Sequence, residues 1–97
     1  MIGGAADMAG VVRKEVLNAL EAAEARGEKR VRVIVGLRDP ESMQPIKAAL
    51  ARLRVRAVLR ETEGFLVARL NREELEQVSQ LTQHVRAVWL DQPVSAA

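Results

Sequence analysis

The stretch ETEGFLVARLNREE, residues 61–74, decides the fold. Residues 61–64 read as a polar turn in which Gly64 supplies the permissive backbone. Phe65, Leu66, Val67, Ala68, Arg69 and Leu70 read as a strand. Asn71 followed by Glu74 resembles a capping box, with Asn standing in place of Ser or Thr. The stretch therefore contains a hairpin turn, the second strand of the hairpin and the start of a helix. Upstream, residues 54–62 supply the first strand of that hairpin, with Val55, Ala57 and Leu59 on one side. Downstream, the helix is expected to run to about Gln83 with Leu75, Val78 and Leu81 inward. Residues 85–90 form the last strand, and residues 91–97 a tail that Pro93 keeps from extending the ladder.

Toward the N-terminus, Val31, Val33, Val35 and Leu37 alternate along one face of a first strand, with Ile34 and Gly36 on the other. Asp39-Pro40 breaks that strand. Ser42 is the expected cap of a helix reaching Leu53, with Pro45 tolerated in the first turn. Ile46, Ala49, Leu50 and Leu53 give that helix an apolar stripe. A leading helix is expected from an Asp7 cap to about Arg26, with Val12, Val16, Leu20 and Ala23 inward and Gly27 as its stop. Residues 1–6 are small and Gly-rich and read as a flexible end.

After the leading helix the order is β-α-β-β-α-β. This predicts an α+β, ferredoxin-like split βαβ arrangement: a four-stranded antiparallel sheet with two helices on one face, plus an extra N-terminal helix. The organisation expected is an N-terminal extension over 1–30, the sheet domain over 31–90 and a C-terminal tail over 91–97.

The composition fits one folded domain: 97 residues, 48% hydrophobic and 29% charged. Phe65 and Trp89 are the only aromatics, so the core is built from Val, Leu, Ile and Ala. The net charge is +2 with both signs interspersed, so no block reads as a nucleic-acid tail. The absence of Cys excludes a disulfide framework and thiolate metal sites. No apolar run is long enough to span a membrane, and residues 1–10 do not read as a signal peptide. No cofactor is expected.

One feature points to binding. Two helices cover only one face of such a sheet, yet Phe65 to Leu70 is apolar on both sides. Ile34 in the first strand, Val58 in the second, Phe65 and Val67 in the third, and the run from Val85 to Leu90 in the last add to the surplus. Some of these must point away from the helices, and an apolar patch on an open sheet commonly marks a partner surface. Three readings stand: a partner site, a cover formed by the leading helix, or a homodimer through the sheets.

The run VRVIV at 31–35, the run GFLVARL at 64–70 and the run VRAVWLDQPVSAA at 85–97 together resemble the inhibitory propeptide of subtilisin-like serine proteases. The resemblance covers residues 31–97. Trp89 and Leu90 depart from it, standing where acidic residues are common, and the leading helix is an addition. The resemblance implies a non-catalytic inhibitor and intramolecular chaperone whose partner is the protease catalytic domain. It implies that Ile34, Val58, Phe65 and Val67 contact the protease through the open sheet. It further implies that Val94, Ser95, Ala96 and Ala97 occupy the substrate cleft like a product, with Val94 as the apolar anchor. Glu61 and Glu63 at the hairpin would cap helix N-termini of the partner, where free N–H groups favour a carboxylate. The same residues admit plainer readings, a frayed tail and a solvated turn. An extracellular setting follows only if the propeptide reading holds.

Other chemistries fit less well. His84, expected at a helix end, is the sole histidine, and neither a Ser-His-Asp set nor a metal site can be assembled from the spacing. Arg52, Arg54, Arg56 and Arg60 surround the second strand, but they read as edge protection. RNA-recognition domains of this fold stack bases on sheet aromatics, a role for which only Phe65 stands out here. A small-ligand regulatory domain finds weak support in Gly36.

Overall fold

The computed structural model describes residues 11–53, 58–62 and 64–91. Strand β1 is Val31–Leu37, whose Val31, Val33, Val35 and Leu37 are all buried on one side. Strands β2 (Val58–Glu61) and β3 (Phe65–Leu70) form the hairpin, and β4 is Val85–Leu90. The sheet is antiparallel in the order β2-β3-β1-β4. Helices α1 (Lys14–Ala25), α2 (Met43–Arg52) and α3 (Arg72–Ser79) complete the architecture. This is the split β-α-β-β-α-β pattern with an added N-terminal helix.

The N-terminal region differs from its sequence reading. Asp7 lies outside the described residues, and α1 begins at Lys14. Residues 11–13 are extended instead and run along the edge of β4, where Val12 forms an isolated parallel bridge with Val88. The Arg13 N–H donates to the Val88 carbonyl and the Val88 N–H to the Val11 carbonyl, both at 2.9 Å. The outer edge of β4 offers these backbone groups partners that a first helical turn leaves unmet. At its other end α1 stops as expected. Gly27 takes a φ of +85°, and the N–H groups of Glu28 and Gly27 donate to the carbonyls of Ala23 and Glu24 at 2.8 and 3.1 Å. This double closure needs a left-handed residue, which glycine adopts without steric cost.

All three helices lie on one side of the sheet. Val12, Val16, Leu20 and Ala23 belong to the same apolar cluster as Val33 and Val35 of β1, Leu66 and Leu70 of β3, and Ile46, Leu50, Leu75 and Val78 of α2 and α3. Arg72 on α3 holds Glu24 on α1 with two hydrogen bonds, of 2.7 and 3.2 Å. That guanidinium keeps the Glu24 carboxyl below its ordinary value, and the carboxylate in turn raises Arg72.

The two remaining helices show one agreement and two departures. The capping box of α3 is present: Asn71 Oδ1 accepts the Glu74 N–H and Glu74 Oε1 accepts the Asn71 N–H, each at 2.8 Å. Glu74 is 3% exposed and also takes a 2.9 Å bond from Arg30, so its charge is neutralised where it is buried. However, α3 ends at Ser79, short of Gln83, because the Leu81 carbonyl accepts the N–H groups of His84 and Val85 and turns the chain into β4. Ser42 holds the N-cap position of α2, but its side chain makes no capping hydrogen bond. It closes a short 3-10 turn, Pro40–Ser42, and its hydroxyl is engaged elsewhere.

Candidate functional site

Directly opposed residues of an antiparallel sheet share a face. The register therefore sorts the strands without ambiguity. Val33, Ala68, Val35, Leu66 and Val88 form rows under the helices. The other face carries three rows: Arg32 with Arg69; Trp89 with Ile34, Val67 and Arg60; and Ala87 with Gly36 and Phe65. None of these residues belongs to the core cluster, and among the described residues α1 packs on the opposite side. Of the three readings of the apolar surplus, a cover formed by α1 is thus excluded.

The centre of this outer face is apolar. Val67 and Ala87 are each 5% exposed, while Ile34, Phe65 and Trp89 are half-buried. Trp89 lies across Gly36: a Cβ at position 36 would stand 2.5 Å from Cζ3 and 2.8 Å from Cη2 of the ring. Glycine is thus the residue that lets an indole lie flat on the sheet. The guanidinium groups of Arg13 and Arg86 both lie over the ring, 5.9 Å from its centroid. Arg13 reaches this place because residues 11–13 run beside β4, so Val12 faces the core and its neighbour faces outward. Arg32 pairs with Asp91 at 2.6 Å, and the Asp91 N–H donates to the Arg32 carbonyl, fixing the exit of β4.

The expected contact residues distribute unevenly. Ile34, Phe65 and Val67 meet on the outer face. For Val58 the structure gives the backbone register alone: a shift between Val58 and Arg60 aligns it with Ala68 and sets exposed Arg60 opposite Val67. Glu61 is aligned with Leu66 and pairs with Lys47 of α2 at 3.1 Å, half-exposed at the rim of the helix layer. Glu63 and the tail residues Val94, Ser95, Ala96 and Ala97 lie outside the described residues.

Two features of the face escaped the sequence. Trp89 lies on the same face as Phe65, in the neighbouring row, so two aromatics share it where Phe65 alone was expected to be useful. Charge is also divided across the sheet. The outer face presents Arg13, Arg32, Arg60, Arg69 and Arg86 against one described acid, Asp91. On the helix side α1 and α3 together carry Glu15, Glu21, Glu24, Glu73, Glu74 and Glu76 against Lys14 and Arg72, with Lys47 and Arg52 added by α2.

The structure also gathers Asp39, Ser42 and His84. Ser42 Oγ stands 3.2 Å from Asp39 Oδ1 and 3.2 Å from His84 Nδ1. His84 lies in the turn before β4, not at a helix end. The order is carboxylate–hydroxyl–imidazole, whereas nucleophilic catalysis requires the imidazole between the other two. Ser42 is also 1% exposed. The cluster ties the loop after β1 to the turn before β4, and Arg38 adds a 2.6 Å bond to the Thr82 carbonyl. Among the described residues no group of three or more His, Asp or Glu is placed to hold a metal ion, and no helix is long and apolar enough to cross a membrane.

No protein-family model, curated protein or solved structure matches this chain.

Proposed function

We propose that the chain is a propeptide-type inhibitor and folding chaperone of a subtilisin-like serine protease. It docks by the outer face of its sheet and lays the segment after β4 in the substrate cleft. The observation that carries this reading is the apolar outer face, where Ile34, Phe65 and Trp89 stay partly exposed around buried Val67 and Ala87 while α1 packs with the other helices on the opposite side. A partly exposed apolar sheet face suits a protein partner. The Arg32–Asp91 pair at the end of β4 anchors the point from which residues 92–97 depart. An extended segment entering a protease cleft gains main-chain hydrogen bonds, with alternate side chains supplying specificity. Binding the native protease better than its less folded forms would promote its folding by mass action.

The test is peptide hydrolysis by a subtilisin-type protease with the chain added. Tight inhibition that decays as the chain is digested is expected. A chain lacking Val94 to Ala97 should fold normally and inhibit far less. Undiminished hydrolysis in the presence of the intact chain rejects the reading; equal inhibition by the shortened chain rejects the cleft role of the tail.

The presence of Phe65 and Trp89 on one face amid arginines favours one other reading, a single-stranded RNA platform. Salt-sensitive retention of oligouridylate, without protease inhibition, would select it.

A further inference from the structure

We infer that the outer face is built for an acidic protein surface, one whose carboxylates ring an apolar patch; as a description of the partner, this rests on the docking reading above. The charge division is the first support. Five arginines border or cross the face against one described acid, while on the far side the six acids of α1 and α3 are accompanied by Lys14, Lys47, Arg52 and Arg72.

The register supplies the second. Arg32 and Arg69 are directly opposed, a like-charge pair that disfavours the isolated sheet. Asp91 neutralises Arg32, and Arg69 has no described ion-pair partner. A carboxylate brought by a partner would relieve that repulsion. The same two arginines border a groove of about 620 Å³ at the end of the sheet, lined also by Arg26, Lys29 and Arg30 against Glu28 and Asp91, so its lining keeps a net positive charge although Arg26, Arg30 and Arg32 are ion-paired.

The third support discriminates between partners. Arg13 and Arg86 already lie over the Trp89 ring. A nucleobase stacking there must displace a guanidinium, whereas a carboxylate binds those same guanidinium groups where they stand. Partly exposed Ile34 and Phe65 likewise match apolar side chains better than sugar and phosphate.

The experiment uses the whole chain and three probes: a subtilisin-type protease inactivated at its nucleophile, a random glutamate–leucine copolymer, and oligouridylate. Surface plasmon resonance follows the protease, and the emission of Trp89, the sole tryptophan, follows the other two. Two variants accompany the native chain, each checked for folding by circular dichroism. One reverses the face, Arg60→Glu with Arg69→Glu and Arg86→Glu. The other reverses charge elsewhere, Lys14→Glu with Arg52→Glu.

The native chain should bind protease with an association rate that falls on the order of tenfold as salt rises from about 0.05 to about 0.5 M. The face variant should lose a similar factor, the control variant little, and the copolymer should shift the Trp89 emission. Protease binding that the face variant retains in full overturns the inference and leaves the docking reading intact. Copolymer binding lost in the face variant, without protease binding, upholds the inference and removes the protease. A Trp89 response to oligouridylate alone, or to no probe, overturns it.

Discussion

Replacing Gly36 by Val tests the geometry on which the outer face depends. Carbon atoms in ordinary contact stand about 3.5–4.0 Å apart. The new Cβ would meet Cζ3 and Cη2 of Trp89 at 2.5 and 2.8 Å, with the Ala87 carbonyl oxygen at 3.4 Å. The ring must therefore move by about 1 Å or more, and the two valine methyls push it further. Overpacking of this kind costs about 1–3 kcal/mol. Removing a glycine from a strand interior returns about 0.5–1 kcal/mol. The struck atoms belong to the far end of a half-buried side chain, which can swing outward, so a net loss of about 1–2 kcal/mol is expected. For a domain of this size that lowers the melting temperature by roughly 4–16 °C. Trp89 is the sole tryptophan, so intrinsic fluorescence reports its displacement directly. The expected result is a red-shifted emission together with a lower urea midpoint. An unchanged spectrum and midpoint in Gly36→Val would refute the placement of the indole on Gly36.

Three further outcomes follow from the packing and charge. Leu20→Ala should destabilise by about 2–5 kcal/mol in urea denaturation, because Leu20 is fully buried and α1 shares the single core; a loss below about 0.5 kcal/mol would make α1 an appendage. Glu24 is held below its ordinary value of 4.5, chiefly by the hydrogen bonds from Arg72. Its contribution to stability is therefore complete above that pH and is lost as pH falls through its lower folded value. An NMR titration should place its midpoint below 4.5, and Arg72→Gln should return it toward 4.5. Arg69→Thr should stabilise the free domain by a few tenths of a kcal/mol, read by thermal melting, since it removes a like charge opposite Arg32.

Much of the fold was legible because its signals are local. The alternation of Val31 to Leu37, the Gly64 turn and the Asn71–Glu74 box each act within a few residues, and each led to the observed element. The departures come from long-range competition. Residues 11–13 satisfy a helical pattern through Val12 and Val16, yet the free edge of β4 captures them; the β-branched pair Val11-Val12 was the available hint. Ser42 has the chemistry of a cap but bonds to Asp39 and His84, which no local rule anticipates. The surplus of apolar residues pointed to side chains turned away from the helices, and the register puts Ile34, Phe65 and Val67 on that side. The register shift between Val58 and Arg60 is invisible in the alternation. So is the meeting of Gly36 with Trp89, which requires knowing that β1 and β4 are neighbours. The arginines of the face are separated by nine or more residues in the chain at nearly every step, and only the sheet assembles them.

The most direct measurement is a two-dimensional amide and indole NMR comparison of the labelled chain, free and bound to an inactivated subtilisin-type protease. Signals of Ile34, Phe65, Val67, Arg69 and the Trp89 indole should move together, with those of α1 and α3 nearly still. Perturbation centred on the helices, with the Trp89 indole unmoved, would contradict docking through the outer face.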